Sequence, residues 1–137
     1  MRIDDIKPGE ILPVREFKPD NVQLFLYNAA LWNAHRIHFD YPYATEVEGY
    51  PGLVIAGPLM GDWLTQVILD WAGEEGLLAS FSYTNRKYAC IGEVLHSDGR
   101  VVSVDIKTGE VEVGISILNQ AGDILTPGTA VVRFNVD

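Results

Sequence analysis

The sequence predicts an α+β fold in which an antiparallel β-sheet wraps one long central helix. Two observations carry this. The segment GPLMGDWLTQVILDWAG, from Gly57, sets Leu59, Met60, Trp63, Leu64, Val67, Ile68 and Trp71 on one stripe at helical spacing. After Leu77 the pattern changes to runs of strand character. A helix this apolar, followed by a meander of strands, buries both elements best when the sheet curls around the helix. That is the hotdog arrangement, expected here as a single domain over residues 1–137.

Pro8 and Pro19 bracket ILPVREF, which reads as a short strand with Pro13 near its start. KPDNVQLFLYNAALWN reads as a helix that Asp20 or Asn21 caps, with Val22, Phe25, Leu26, Ala29 and Ala30 at helical spacing. Between residues 34 and 57 the periodicity collapses into a long irregular stretch, of the kind that tends to be functional. In the long helix Pro58 suits the first turn and Gly73 the end, while Gly61 offers another backbone a close approach. LLASFSYT, CIGEVLHS and RVVSVDIKT read as strands, the last two separated by a hairpin turn at Asp98-Gly99. EVEVGISILNQ and TAVVRFNVD complete the set, joined around Ala121-Gly122-Asp123.

A chain of 137 residues, 47% hydrophobic and 21% charged, is long enough for one real core and is not of disordered composition. The net charge of −9 argues against nucleic acid as a partner, because phosphate binding needs a basic surface. It would also repel an anionic substrate at long range, although local cations such as Arg36 or Arg86-Lys87 can override that field. Apolar runs are short and interrupted, so no membrane span is expected. The start, MRIDDIKPGE, lacks the pattern of a signal peptide, and a single cysteine, Cys90, fits a reducing compartment. The expected location is the cytoplasm. Cys90 reads as a buried strand residue rather than a nucleophile, and His96 as an exposed strand residue beside a turn.

Chemistry concentrates in LWNAHRIHFDYPYA, which holds two of the three histidines, His35 and His38, beside Asn33 and Asp40. Three readings are open. His35, His38 and Asp40 form a two-histidine, one-carboxylate set of the kind that holds a metal, but no supporting motif accompanies it. Local loop polarity accounts for the residues equally well. The third reading is acid–base chemistry, with one histidine titrating near neutral pH and a polar neighbour orienting water. Its remaining requirement is a donor for a developing oxyanion. VIAGPLMGDW supplies one where Gly57-Pro58 opens the long helix with unpaired N–H groups, although Gly-Pro serves equally as plain helix punctuation.

Residues 33–60, NAHRIHFDYPYATEVEGYPGLVIAGPLM, resemble the MaoC-like acyl dehydratase and (R)-enoyl-CoA hydratase family of hotdog proteins. They are most similar to the branch of mesaconyl-CoA hydratases and mitochondrial-type 3-hydroxyacyl-thioester dehydratases, which carries N-x-H-R-I-H-x-D, YA, EGYPGLV and GPL. A shorter similarity, DWAG from Asp70, is to small MaoC-like subunits of steroid side-chain hydratases. The general family motif is an Asp, an Asn two residues on and the catalytic His three further on. Here Asn33, His35 and His38 fall at those positions. His38 thereby inherits the acid–base role. Asn33 departs, since an amide positions water but cannot take its proton. Ala56 departs too, standing where that branch has a histidine, while Gly57 matches the family's oxyanion position.

The resemblance implies a hydro-lyase that reversibly hydrates 2-enoyl thioesters to 3-hydroxyacyl thioesters. His38, Asn33 and Gly57 would be its catalytic groups, and His35 and Asp40 would fix the tautomer or orientation of His38 and its loop. Tyr41, Tyr43 and Tyr50 are candidates to line an acyl pocket, and Arg86 and Lys87 to meet coenzyme A phosphates; loop packing and a solvated turn explain them as well. No metal or redox cofactor is implied, coenzyme A or an acyl carrier being part of the substrate. A homodimer or higher oligomer is expected. The rivals are a hotdog acyl-thioesterase, for which Asp62 is a poorly placed acid, and a non-catalytic or half-site subunit of a heteromeric hydratase.

Overall fold

The computed structural model describes residues 1–136. Two helices, α1 (Asn21–Ala30) and α2 (Gly57–Ala72), precede most of one five-stranded antiparallel sheet. Its strands are β1 (Glu16–Phe17), β2 (Gly76–Tyr83), β3 (Leu95–Asp105), β4 (Glu110–Leu118) and β5 (Ile124–Phe134), in spatial order β1-β3-β4-β5-β2. The sheet curls around α2, which gives the α+β hotdog architecture expected from the sequence. Among the described residues no helix is long and apolar enough to cross a membrane.

Helix α2 begins with Pro58 in its first turn and ends at Gly73, whose φ of 64° favours glycine. Its stripe is buried as expected, except that Trp71 is half-buried. The opposing surface comes from alternate residues of the sheet, among them Val111, Val113, Ile115 and Ile117 of β4. Trp63 stacks on Phe17 with ring centroids 4.5 Å apart, tying β1 to the helix. Gly61 departs from expectation: a Cβ there would strike the ring of Tyr83, so an aromatic face, not a backbone, fills that space.

Helix α1 departs more. Asp20 caps it, accepting the Gln23 N–H at 2.8 Å, but the buried residues are Leu24 and Asn28. Val22, Phe25 and Leu26 of the expected apolar stripe are exposed, as are Ala29 and Ala30. One polar anchor ties the helix to α2: the Tyr27 hydroxyl donates to Asp62 at 2.6 Å. Asn28, buried beside Leu24, donates to the Leu24 carbonyl within the helix itself.

The strand boundaries also need correction. Pairing of residues 11–17 with β3 is interrupted around Pro13, which has no N–H, leaving a bridge at Ile11 and a two-residue β1. Asp98-Gly99 makes no turn and pairs in mid-strand with Ser116 and Ile115. The Gly99 carbonyl accepts the Leu12 N–H at 3.0 Å, and the glycine suits this crossing because a Cβ there would crowd Leu12 and Ile115. The β3–β4 turn lies instead at residues 106–109, where Asp105 accepts N–H bonds from Lys107 and Thr108. Strand β5 starts at Ile124, earlier than expected; Asp137 of the expected strand lies outside the described residues. Of CIGEVLHS only the end is strand, with Cys90 in an isolated bridge to Val54. His96 is half-buried within β3, away from any turn.

Candidate active site

The stretch between the two helices is held residue by residue. Helix α1 ends in two bonds that close its last turn, Trp32 N–H to the Ala29 carbonyl (3.2 Å) and Asn33 N–H to the Asn28 carbonyl (2.9 Å). This closure needs a left-handed residue where glycine is usual. Trp32 takes it at φ 56° while 94% exposed. Asn33 Oδ1 accepts the His35 N–H at 3.2 Å, and His35 Nδ1 accepts the Ile37 N–H at 3.3 Å, capping the 3₁₀ turn Arg36–His38. Arg36 donates twice to Asp40, at 2.9 and 2.8 Å, and lies over the Tyr43 ring. Asp40 accepts the Tyr43 N–H in turn, and the Arg36 bond holds its carboxyl below the usual carboxylate range. The irregular stretch therefore contains the 3₁₀ turn and a π-helical turn, Tyr43–Val47, rather than open loop.

His38 is only 7% exposed. Its Nδ1 lies 2.6 Å from the Val54 carbonyl, an acceptor only, so Nδ1 carries the proton. The other nitrogen, Nε2, is then the basic one in the neutral ring. Burial lowers the pKa of His38 from the ordinary histidine value, with the Val54 bond opposing and His35 adding to the shift. The His35 ring stands edge-on at 5.8 Å. Val54 is clamped from both sides: its N–H donates to the Ile37 carbonyl at 2.9 Å, and it bridges to Cys90. Three residues later the chain enters α2 at Gly57, whose N–H finds no acceptor among the described residues.

His38, Asn33 and Gly57 are thus linked through one strap of backbone. Asp40 holds Arg36 and Tyr43 and has no bond to His38, whose tautomer is set by the Val54 carbonyl. No sequence pattern marks that acceptor, because it is backbone. Among the described residues no three His, Cys, Asp or Glu side chains come together as a metal set, so His35, His38 and Asp40 do not form one. Ala56 is fully buried as the residue before α2.

The peripheral candidates scatter. Tyr43 donates to Glu48 at 2.7 Å, Tyr50 packs edge-on against Tyr88, and Tyr41 is exposed. Arg86 and Lys87 line an open cleft of about 760 Å³ with Tyr88, Cys90 and Asp123, and Lys87 pairs with Asp123 at 3.6 Å. Cys90 is buried, which raises its pKa and keeps it a thiol. Asp62 is occupied by Tyr27. Asn85, unnoticed in the sequence, packs against Gly57.

The family model for hydroxyacyl-thioester dehydratase type 2 matches residues 5–91, well over half of the chain. The chain belongs to that family. Among curated proteins, it is 48% identical over 65 residues to mesaconyl-C(4)-CoA hydratase of Chloroflexus aurantiacus, covering 44% of this chain and 23% of that protein. It is also 48% identical over 44 residues to the mitochondrial hydroxyacyl-thioester dehydratase type 2 of Schizosaccharomyces pombe, covering 32% and 15%. The matched segments are thus less than a quarter of either relative's length. In fold, this hydroxyacyl-thioester dehydratase family member superposes on the (R)-hydratase of A. caviae with a TM-score of 0.87 at 14% identity, covering 96% and 98% of the two chains. It superposes on a chain of the ChsH1–ChsH2 complex of Mycobacterium tuberculosis with a TM-score of 0.83 at 17% identity, covering 94% and 98%.

Proposed function

We propose that the chain reversibly hydrates 2-enoyl thioesters, with His38 as the acid–base group and Gly57 N–H as the oxyanion donor. The observation that carries this is His38 itself: a buried imidazole, tautomer fixed by Val54, basic at Nε2 and tied through that strap to an unpaired helix-start N–H. Asn33 Oδ1 is used by His35, which leaves its Nδ2 hydrogens to hold the oxygen of a water. His38 Nε2 takes a proton from that water as its oxygen bonds to C3. The C2=C3 electron pair moves toward the thioester oxygen, where Gly57 N–H meets the charge. The same imidazolium then returns its proton to C2, so one histidine serves as base and then acid. Acyl-CoA or acyl-carrier thioesters are the substrates, in fatty acid metabolism, with Arg86 and Lys87 toward the carrier's phosphates and the tyrosines toward the acyl group. The working form is a cytoplasmic homodimer or higher oligomer.

Loss of enoyl-thioester ultraviolet absorbance on short, branched and bulky enoyl-CoAs tests the reading. His38→Ala is expected to lose about 10²–10⁴-fold in activity. Asn33→Asp is expected to move the acid limb of the pH profile upward, since a carboxylate favours the protonated imidazole. Hydration by His38→Ala at the wild-type rate would end this reading, and release of free thiol would favour the thioesterase.

One observation favours the half-site reading as second: the exposed apolar residues Val22, Phe25 and Leu26 of α1, with Trp32 in the turn after it, suit a partner subunit. The fold is shared with a chain of the two-component ChsH1–ChsH2 complex. Inactivity alone and activity on adding a co-purified hotdog subunit would decide for it.

A further inference from the structure

Gly57 has no positive φ to explain its glycine. What occupies the place of its missing side chain is the carboxamide of Asn85. A Cβ at Gly57 would collide with Asn85 Nδ2 and lie 2.8 Å from its Cγ and 3.3 Å from its Oδ1. Asn85 sits in the exposed loop after β2, yet that loop is pinned on both sides to β5. Thr84 N–H donates to the Pro127 carbonyl at 3.0 Å and Arg86 N–H to the Leu125 carbonyl at 2.8 Å. The amide itself is oriented by a fully buried group, the Thr126 hydroxyl, which donates to Asn85 Oδ1 at 3.1 Å. With the oxygen engaged, Nδ2 is turned toward Gly57. Among the described residues its hydrogens have no acceptor. An exposed asparagine would ordinarily be free to rotate; this one is fixed beside a backbone N–H that also lacks a partner.

We infer that Asn85 Nδ2 is a second donor to the thioester oxygen that Gly57 N–H receives, with Thr126 as the residue that positions it. This rests on the hydratase reading and adds a residue to it. Two donors on one oxygen stabilise an enolate more than a neutral carbonyl, so the contribution falls on the chemical step. In the hydration assay Asn85→Ala is expected to lower kcat about 10²-fold with KM little changed. Asn85→Asp keeps the size but sets a carboxylate against the enolate, so it is expected to lose more than Asn85→Ala. Thr126→Val frees the amide to turn and is expected to lose less than either.

A readout independent of turnover is the absorbance of bound para-dimethylaminocinnamoyl-CoA, whose band moves to longer wavelength as its carbonyl is polarised. The wild type is expected to shift it and Asn85→Ala to shift it less, with unchanged thermal unfolding. Wild-type kcat in Asn85→Ala, or a lowered kcat with the full wild-type band shift, overturns the inference and leaves the hydratase reading standing. A wild type that neither hydrates enoyl-CoAs nor shifts the probe removes both.

Discussion

Helices α1 and α2 each deliver one part of the candidate site, and they are held by opposite means. Helix α2 presents Gly57 at its first residue and is fixed by burial, with Leu59, Met60, Trp63, Leu64, Val67 and Ile68 inside the curled sheet. Helix α1 hands over Asn33 just past its end, buries only Leu24 and Asn28, and is otherwise fixed by a cap, the Tyr27–Asp62 bond and a tryptophan in left-handed backbone. The Gly57 half of the candidate site stands on the core, while the Asn33 half rests on two buried side chains and on hydrogen bonds nearer the surface. Damage to the first should appear as lost stability, and damage to the second as lost placement.

The largest expected effect tests the first half. Leu64, fully buried on α2, should cost about 2–5 kcal/mol on truncation to Ala, whereas Leu26→Ala on the exposed face of α1 should stay within about 0.5 kcal/mol. Urea unfolding of the two variants checks it; equal losses would break the contrast between the helices. A smaller effect, of opposite sign, is expected at Trp32. Its left-handed backbone costs energy that glycine avoids, and its side chain is 94% exposed, so Trp32→Gly should stabilise the chain by up to about 1 kcal/mol. A destabilised variant at the same urea midpoint analysis would mean that the indole packs on something, which would sharpen the case for a partner on α1.

The smallest effect concerns pH. Burial lowers the His38 pKa, and His35 adds to that lowering. The acid limb of kcat/KM should therefore lie below the ordinary histidine value of about 6.5. Removing His35 lifts one lowering influence, so His35→Ala should move the limb toward higher pH. Stability follows the same linkage. The unfolded chain binds the proton more readily than the folded one, so this contribution is present above about pH 6.5 and is lost as pH falls from there toward the folded pKa. An acid limb that stays in place in His35→Ala would show that the edge-on ring exerts no electrostatic effect.

The fold was legible where the signal is local. Asp20 as a cap, Pro58 and Gly73 as punctuation and the α2 stripe all depend on neighbours a few residues away, and they stand as expected. Asp98-Gly99 misled, because the same dipeptide that suits a turn also suits a strand position crowded by Leu12 and Ile115. The stripe on α1 misled for a related reason: periodicity identifies an apolar face without saying what covers it. In the candidate site, Asn33, His38 and Gly57 could be named from their spacing and resemblance. Asn85 lies 28 residues beyond Gly57, and Val54 acts through its carbonyl, so neither leaves a mark in the sequence.

By itself, then, the sequence determined the elements whose bonds close within a turn or two and the apolar helix that needs a sheet around it. Only the tertiary structure decided the rest. It selected which face of α1 is buried, which nitrogen of His38 is basic and which amide stands against Gly57. Each of those outcomes depends on a hydrogen-bond partner or a packing neighbour distant along the chain, and such partners are chosen when the sheet closes around α2.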